Sequence, residues 1–175
     1  VHRICPGHHL QVYYPRLQEV GSIMQEPRLE FLYEIQVDLE APQAVGRNPH
    51  GVRNIFYVRS GRFQGPRLRG EVLPGGGDWF LVRPDDVGEL DVRITLRTDD
   101  GALIYVTYRG LLHPVSQVTA ALAEGRELPR EGYYFYIAPF FETADERYQW
   151  LNGTVAVGVG YAVPGGVRYR VFALV

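Results

Sequence analysis

The chain has 175 residues, 46% hydrophobic and 22% charged, with a formal net charge of -2. That length supports one core-forming domain, the hydrophobic content excludes a disordered chain, and the slightly acidic balance argues against a nucleic-acid partner held through a basic surface. Cys5 is the only cysteine, so no intramolecular disulfide can form, and no apolar run reaches the roughly 20 residues that cross a bilayer; the expectation is a cytoplasmic protein with no membrane partner.

Residues 1–27 mix three histidines with scattered apolar side chains and show no sustained period, unlike everything that follows. They read as an N-terminal extension to a domain at 28–175. Leu10, Tyr13, Tyr14, Leu17 and Ile23 give the extension enough apolar surface to wrap its own domain or to complete a homo-oligomer, expected to be a dimer. His2, His8 and His9 with Cys5 could in principle hold a metal. Adjacent histidines in an extended chain point opposite ways, however, and no tetrahedral ligand spacing is present, so no metal is assigned.

From Arg28 the chain becomes a succession of short β-rich runs punctuated by Gly, Pro and Asp, the spacing of a barrel or sandwich. The runs cover 28–38, 52–59, 67–73, 78–83, 89–98, 102–109, 132–142, 154–162 and 167–175. Asp99, Asp100 and Gly101 supply an Asp-Gly pair suited to a type I′ turn between antiparallel neighbours. PGGGD at 74–78 and VPGGV at 163–167 mark two further reversals. Two short helices interrupt the strands. Pro114 opens one at 115–124, with Val115, Val118 and Leu122 on a shared face and Gly125 past its end. Thr143 and Glu146 form a capping box for the other at 144–151, and Asn152-Gly153 stops it. The fold class is therefore all-β: a single-domain antiparallel barrel of nine or ten strands with two helices at its ends or over its face.

Alternation within the strands separates wet from dry faces. Leu90, Val92, Ile94 and Leu96 form one face of their run, and Glu89, Asp91, Arg93, Thr95 and Arg97 the other. In 133–142 both faces are largely apolar: Tyr133, Phe135, Ile137 and Phe141 against Tyr134, Tyr136, Ala138, Phe140 and Glu142. Such a strand covers a second layer or a subunit on its far side, or forms an aromatic wall to a ligand cavity. The small face carrying Ala156, Gly158 and Gly160 either leaves space in a lumen or lets a helix pack closely.

The run GRFQGPRLRGEVLPGGGDWFLVRPDDVGELDVRITLRTDDGALIYV, followed by FETADERYQWLNGTVAVGVG, resembles the bacterial and fungal family of uncharacterised proteins called DUF3237 or UPF0311. The elements FxGPxLxGxVLPGGxDW, DxRxTLxTDDGALIYV and WLN carry the resemblance, which spans about 28–175. It implies a compact, calycin-like antiparallel barrel with a pocket at one mouth, and brings no general activity with it. The departures are the extension at the front and Asp85-Asp86, where the family commonly has Asp-Gly.

The shared elements contain the groups able to do chemistry. Asp78 and Trp79 follow the glycine turn and Glu71 precedes it. A carboxyl beside an aromatic ring in a partly dry pocket has a raised pKa and can move a proton; alternatively, Asp78 caps the turn and Trp79 is core. Arg93 clamps a carboxylate or enolate oxygen, or pairs with Glu71 or Asp91. These three, Asp78, Arg93 and Glu71, are the catalytic candidates. The ligand-binding candidates are Trp79, Tyr134, Tyr136, Trp150, Asn152, Glu142 and His113, the last either an acid–base group at a barrel mouth or a solvated loop histidine. No GxSxG, HExxH or GxxxxGK[ST] motif is present. The expected function is processing of a small molecule in an aromatic pocket by cofactor-independent acid–base chemistry of lyase, isomerase or cyclase type. The alternative is a noncatalytic binding protein for an apolar or aromatic metabolite. Convergence of Asp78, Glu71 and Arg93 on one cavity separates the two.

Overall fold

Residues 26–175 are described by a computed structural model, and in them the strand signals become eleven antiparallel strands. They are β1 Leu29–Leu39, β2 Gln43–Asn48, β3 Gly51–Gln64, β4 Arg69–Val72, β5 Gly77–Asp78, β6 Leu81–Val82, β7 Gly88–Thr98, β8 Leu103–His113, β9 Tyr134–Glu142, β10 Ala156–Val163 and β11 Gly166–Leu174. The order β1-β11-β10-β9-β8-β7-β4-β3 returns on itself because β3 also pairs with β1. Where β4 ends, the short strands β5 and β6 continue the wall between β3 and β7. Eight strand positions thus close a barrel, as the sequence pattern predicts. Every neighbour around the ring has a partner on both sides, which removes the exposed edge that open sheets must protect.

The departures from the predicted elements have local causes. The 78–83 run divides into β5 and β6, and β2 is an additional strand paired with β3 outside the ring. Its QAVGRN sequence lacks an apolar alternation, and Gly46 sits at φ 90° where its pairing shifts register. The β7–β8 hairpin is a three-residue loop in place of the type I′ turn. Among Asp99, Asp100 and Gly101 only the glycine has positive φ, Gly101 N–H donates to Thr98 O, and Thr98 N–H donates to Ala102 O. That is a type I turn followed by a glycine bulge. The first helix, α1, runs Val115–Ala123 as expected. The second is a 3-10 helix, Glu146–Gly153, and Asp145 caps it by accepting from Arg147 N–H. Thr143 instead accepts from Asp145 N–H and donates to Leu103 O, tying the segment to β8. The extension's expected packing, oligomer contacts and histidines at 1–25 lie outside the described residues.

The lumen is filled by the inward halves of the strands. Leu90, Val92, Ile94 and Leu96 of β7 face Ile104, Val106, Tyr108 and Leu112 of β8, all buried. The glycine face of β10 makes room for large neighbours on β9: a Cβ on Gly160 would lie 2.5 Å from the Phe135 ring, and one on Gly158 2.7 Å from Ile137. Small residues on one strand are matched by large ones on the next, and the wall keeps native packing density.

The two ends differ. At the end where β7 turns into β8, Leu151 of the 3-10 helix is fully buried in the core, and Tyr148 donates its hydroxyl to Asp100 of the hairpin. At the other end α1 lies over the mouth. Its N-terminus is held by Asp86, which accepts from Ser116 N–H at 2.9 Å and from the Ser116 hydroxyl at 2.6 Å. Asp86 has φ 63°, the left-handed conformation. This explains the departure from the family's Asp-Gly: aspartate tolerates that conformation and its carboxylate caps the helix, which glycine cannot do.

Candidate active site

The cavity beneath α1 has a volume of about 350 Å³. Val115, Val118, Thr119 and Leu122 of the helix roof it, the 39–42 and 165–167 segments flank it, and Phe56, Phe80, Leu90, Leu112 and Phe135 form its walls. Asp78 lies in this lining. The strand pleat puts it there: β5 alternates, so Asp78 faces the lumen and Trp79 the outside.

Asp78 lines the cavity and also accepts a backbone hydrogen bond. Its Oδ1 accepts from Asp91 N–H at 3.0 Å, and Trp79 N–H donates to Asp91 O, so the carboxyl is fixed by the backbone of β7. No second hydrogen bond to the carboxyl forms among the described residues. Burial in these surroundings, with a smaller push from the Asp91 charge, raises its pKa to about 7, against the lowering effects of the Asp91 N–H bond and the Arg53 guanidinium.

Two tyrosines that the sequence reading passed over lie close by. Asp78 pairs with Val92, and Val92 with Tyr108, so carboxyl and phenol stand on one rung of the inner wall. Tyr169 reaches across from β11, its ring 5.6 Å from that of Tyr108 and 5.4 Å from that of Phe135. Burial raises both phenol pKa values, and the charge of Asp78 raises them further. Both therefore remain protonated hydrogen-bond donors at neutral pH. Tyr33, also buried, lies in the layer of Phe63 and Phe141. The signal in the sequence was alternation: in ALIYVTYR and VRYRVFALV, Tyr108 and Tyr169 fall on the same face as the aliphatic residues.

The other candidates lie elsewhere. Arg93 is exposed, pairs with Asp91 at 2.9 Å and packs its guanidinium 5.3 Å from the Trp79 ring, all on the outer wall. Glu71 is exposed and accepts from Arg97 Nε at 2.9 Å. Neither joins Asp78, because each sits on the outward phase of its strand. Tyr134 and Tyr136 also point outward, 43% and 40% exposed; with His113, which stacks on Tyr134 at 4.8 Å, they line a shallow depression on the outer wall. Glu142 is exposed at the end of β9. Trp150 carries the Arg67 guanidinium 3.6 Å from its ring centroid. Asn152 accepts from Thr143 N–H at 2.8 Å and donates to Thr143 O at 2.9 Å, closing its loop. Among the described residues no group of three or more His, Cys, Asp or Glu side chains could hold a metal ion, and no helix is long and apolar enough to cross a membrane.

The chain is similar to known proteins over most of its described length. The family described as "Protein of unknown function (DUF3237)" matches residues 27–174. A UPF0311 protein of Clostridium acetobutylicum is 30% identical over 86% of this chain and 96% of its own. A crystal structure of a protein with unknown function from the same organism superposes with a TM-score of 0.78, covering 87% of this chain and 100% of that one. A β-barrel-like protein of Acinetobacter baumannii superposes with a TM-score of 0.73 at 35% identity, over 86% of this chain and 98% of that one. A protein of Penicillium herquei named a hydroalkoxylation enzyme is 26% identical over 79% of this chain and 78% of its own.

Proposed function

The chain belongs to the DUF3237 family, and from that footing we propose that it is a cofactor-independent acid–base enzyme acting on a small molecule held beneath α1. The observation that carries the reading is a single carboxyl, Asp78, in the lining of an otherwise apolar cavity, with one oxygen fixed by Asp91 N–H. With a pKa near 7 it is populated in both protonation states at neutral pH, the condition under which one group serves as acid and then as base. Tyr108 and Tyr169, buried neutral phenols behind the cavity lining, bring no counter-charge to Asp78 and so help to keep its proton affinity high.

The relative from Penicillium herquei supports the reaction class. Hydroalkoxylation adds an alcohol O–H across a carbon–carbon double bond, with no net oxidation. The Asp78 carboxyl delivers its proton to one alkene carbon, the substrate hydroxyl oxygen bonds to the other, and the hydroxyl proton returns to the carboxylate. Reversal of the same steps is an elimination, and proton delivery and removal at different carbons is an isomerisation, so the class extends to lyases, isomerases and cyclases.

One observation favours a second reading. Glu71 and Arg93 stay outside, so few polar groups meet in the cavity, as a carrier of apolar metabolites requires. The test is conversion of alkenyl alcohols and phenols to cyclic ethers, followed by loss of the alkene signal in NMR spectra. The enzyme reading expects turnover that Asp78→Asn abolishes while the probe still binds. Binding of those probes without turnover in the unsubstituted protein would favour the carrier.

A further inference from the structure

The same lining that makes Asp78 reactive also restricts what can occupy the cavity. Among its residues only Asp78 and Glu40 ionise, and both are acids; no arginine contributes, although every Lys/Arg-type cation in the chain is an arginine. A carboxylate, phosphate or other anion entering here would lose its hydration, gain no counter-charge and meet two acidic groups, so its burial is opposed on every side.

A cation fails for a different reason. An ammonium carries three N–H donors. At the cavity floor one oxygen of Asp78 is already bonded to Asp91 N–H, the walls beside it are Phe, Leu and Val, and the other polar side chains of the lining, Glu40 and Thr119, belong to the flanking segment and the roof. Donors turned to the apolar walls would be buried without partners, a cost that the charge pairing does not recover in an apolar site. A hydroxyl has one donor and matches the one open oxygen. It also accepts from Asp78 when that group is protonated.

Size and shape narrow the class further. Phe56 and Phe80 meet edge to face with centroids 6.1 Å apart, and Phe135, also in the lining, packs its ring 5.4 Å from that of Tyr169. A cavity of roughly 150 Å³ holds one benzene ring, so about 350 Å³ admits two fused rings with a substituent. Resting on the acid–base reading of Asp78, we propose that the cavity selects uncharged, hydroxyl-bearing aromatic molecules of about two rings, the hydroxyl directed at the open oxygen of Asp78, and rejects anionic and cationic molecules of the same shape.

Three naphthalenes differing only in their polar group test this by calorimetry at about pH 7.5: 2-naphthol, 2-naphthoate and 2-(aminomethyl)naphthalene. The expected result is that 2-naphthol binds at least tenfold more tightly than either ion. Asp78→Leu is expected to bring 2-naphthol down to the level of the ions, and Leu122→Trp, which fills the mouth from α1, to abolish its binding. Equal or tighter binding of the carboxylate or the amine would overturn the selectivity. So would an absence of 2-naphthol binding, or binding that survives Leu122→Trp. Because no turnover enters these measurements, inactivity of the protein or insensitivity of its rate to Asp78→Asn would sink the catalytic reading alone, and a preference for an ion would sink this one alone.

Discussion

Asp78 and Asp91 are joined through one hydrogen bond, Asp91 N–H to Asp78 Oδ1, yet they face opposite sides of the barrel wall. Outside, Asp91 meets Arg93 at 2.9 Å and Arg109 at 3.2 Å, both cations substantially exposed to solvent. Inside, Asp78 meets aromatic and aliphatic side chains and two phenols. The same side chain is thereby an ordinary surface ion-pair partner on one face and a group able to exchange protons near neutrality on the other. The lesson is that the high proton affinity of Asp78 comes from burial without an ion-pair partner: a one-residue change of strand phase moves a carboxyl from one condition to the other.

The largest expected effect breaks the comparison on its inner side. Asp78→Asn keeps the acceptor for Asp91 N–H while removing the titrating group, so turnover is expected to fall by about a hundredfold or more with probe affinity retained. Glu71→Gln and Arg93→Gln, on the outer wall, are expected to leave rate and affinity within about twofold. A loss of rate in either outer variant comparable to that of Asp78→Asn would show that the chemistry does not reside beneath α1.

The same substitution sharpens the comparison thermodynamically. Asp78 has a folded pKa near 7, raised above its unfolded value near 4. As pH rises from about 4 to about 7, the unfolded chain releases its proton first, while the fold retains the proton or buries a charge. The stability conferred by the protonated group is thus complete below about pH 4 and lost by the time pH passes 7. Asp78→Asn is expected to stabilise the protein at pH 8, by at most about 4 kcal/mol, and to change little at pH 4. Denaturant melts at the two pH values read the difference. Equal effects at both would mean that Asp78 is solvated in the folded state.

Much of this organisation was legible in the sequence, because closure of a barrel is written in alternation. The phases of β7, β8 and β11 follow directly from it, whereas the inward placement of Asp78, on a strand of two residues, does not. Alternation does not reveal which of two apolar faces is inside. On β9 the tyrosine face was expected at the ligand and stands outside, because Gly158 and Gly160 on the neighbouring strand leave room for Phe135 and Ile137 and so draw that face inward. Complementarity of volume between strands, which no single run displays, decided the question. It also hid Tyr108 and Tyr169, whose hydroxyls acquire meaning only when β8 and β11 meet across the lumen.

That complementarity gives the next prediction. Gly160→Val drives a branched side chain into the Phe135 ring, whose far side packs on Tyr169. A destabilisation of about 1–3 kcal/mol is expected, with wider disturbance of the cavity wall. The outward Tyr136→Ser, on the same sheet but the opposite face, is expected to stay within about 0.5 kcal/mol. If the two variants melt alike, β9 is not inserted in the phase described.

Asp86 adds a third environment for a carboxylate and the smallest expected effect. Here neither a cation nor burial among apolar groups decides its role, but two donors at a helix start, Ser116 N–H and the Ser116 hydroxyl, and a backbone held at φ 63°. Asp86→Ala loses the cap and keeps the conformational strain, at a cost of about 1–2 kcal/mol. Asp86→Gly restores the residue typical of the resembled family at this turn, losing the cap but relieving the strain, and is expected to cost only a few tenths of a kcal/mol. Since α1 roofs the cavity, the readout that separates a local cap from a neutral surface change is amide hydrogen exchange at 115–119. Faster exchange there in the alanine variant, less in the glycine variant and none in Glu71→Gln is the expected order. A glycine variant as unstable as the alanine one would show that the carboxylate, and not the backbone, sets the geometry of the turn.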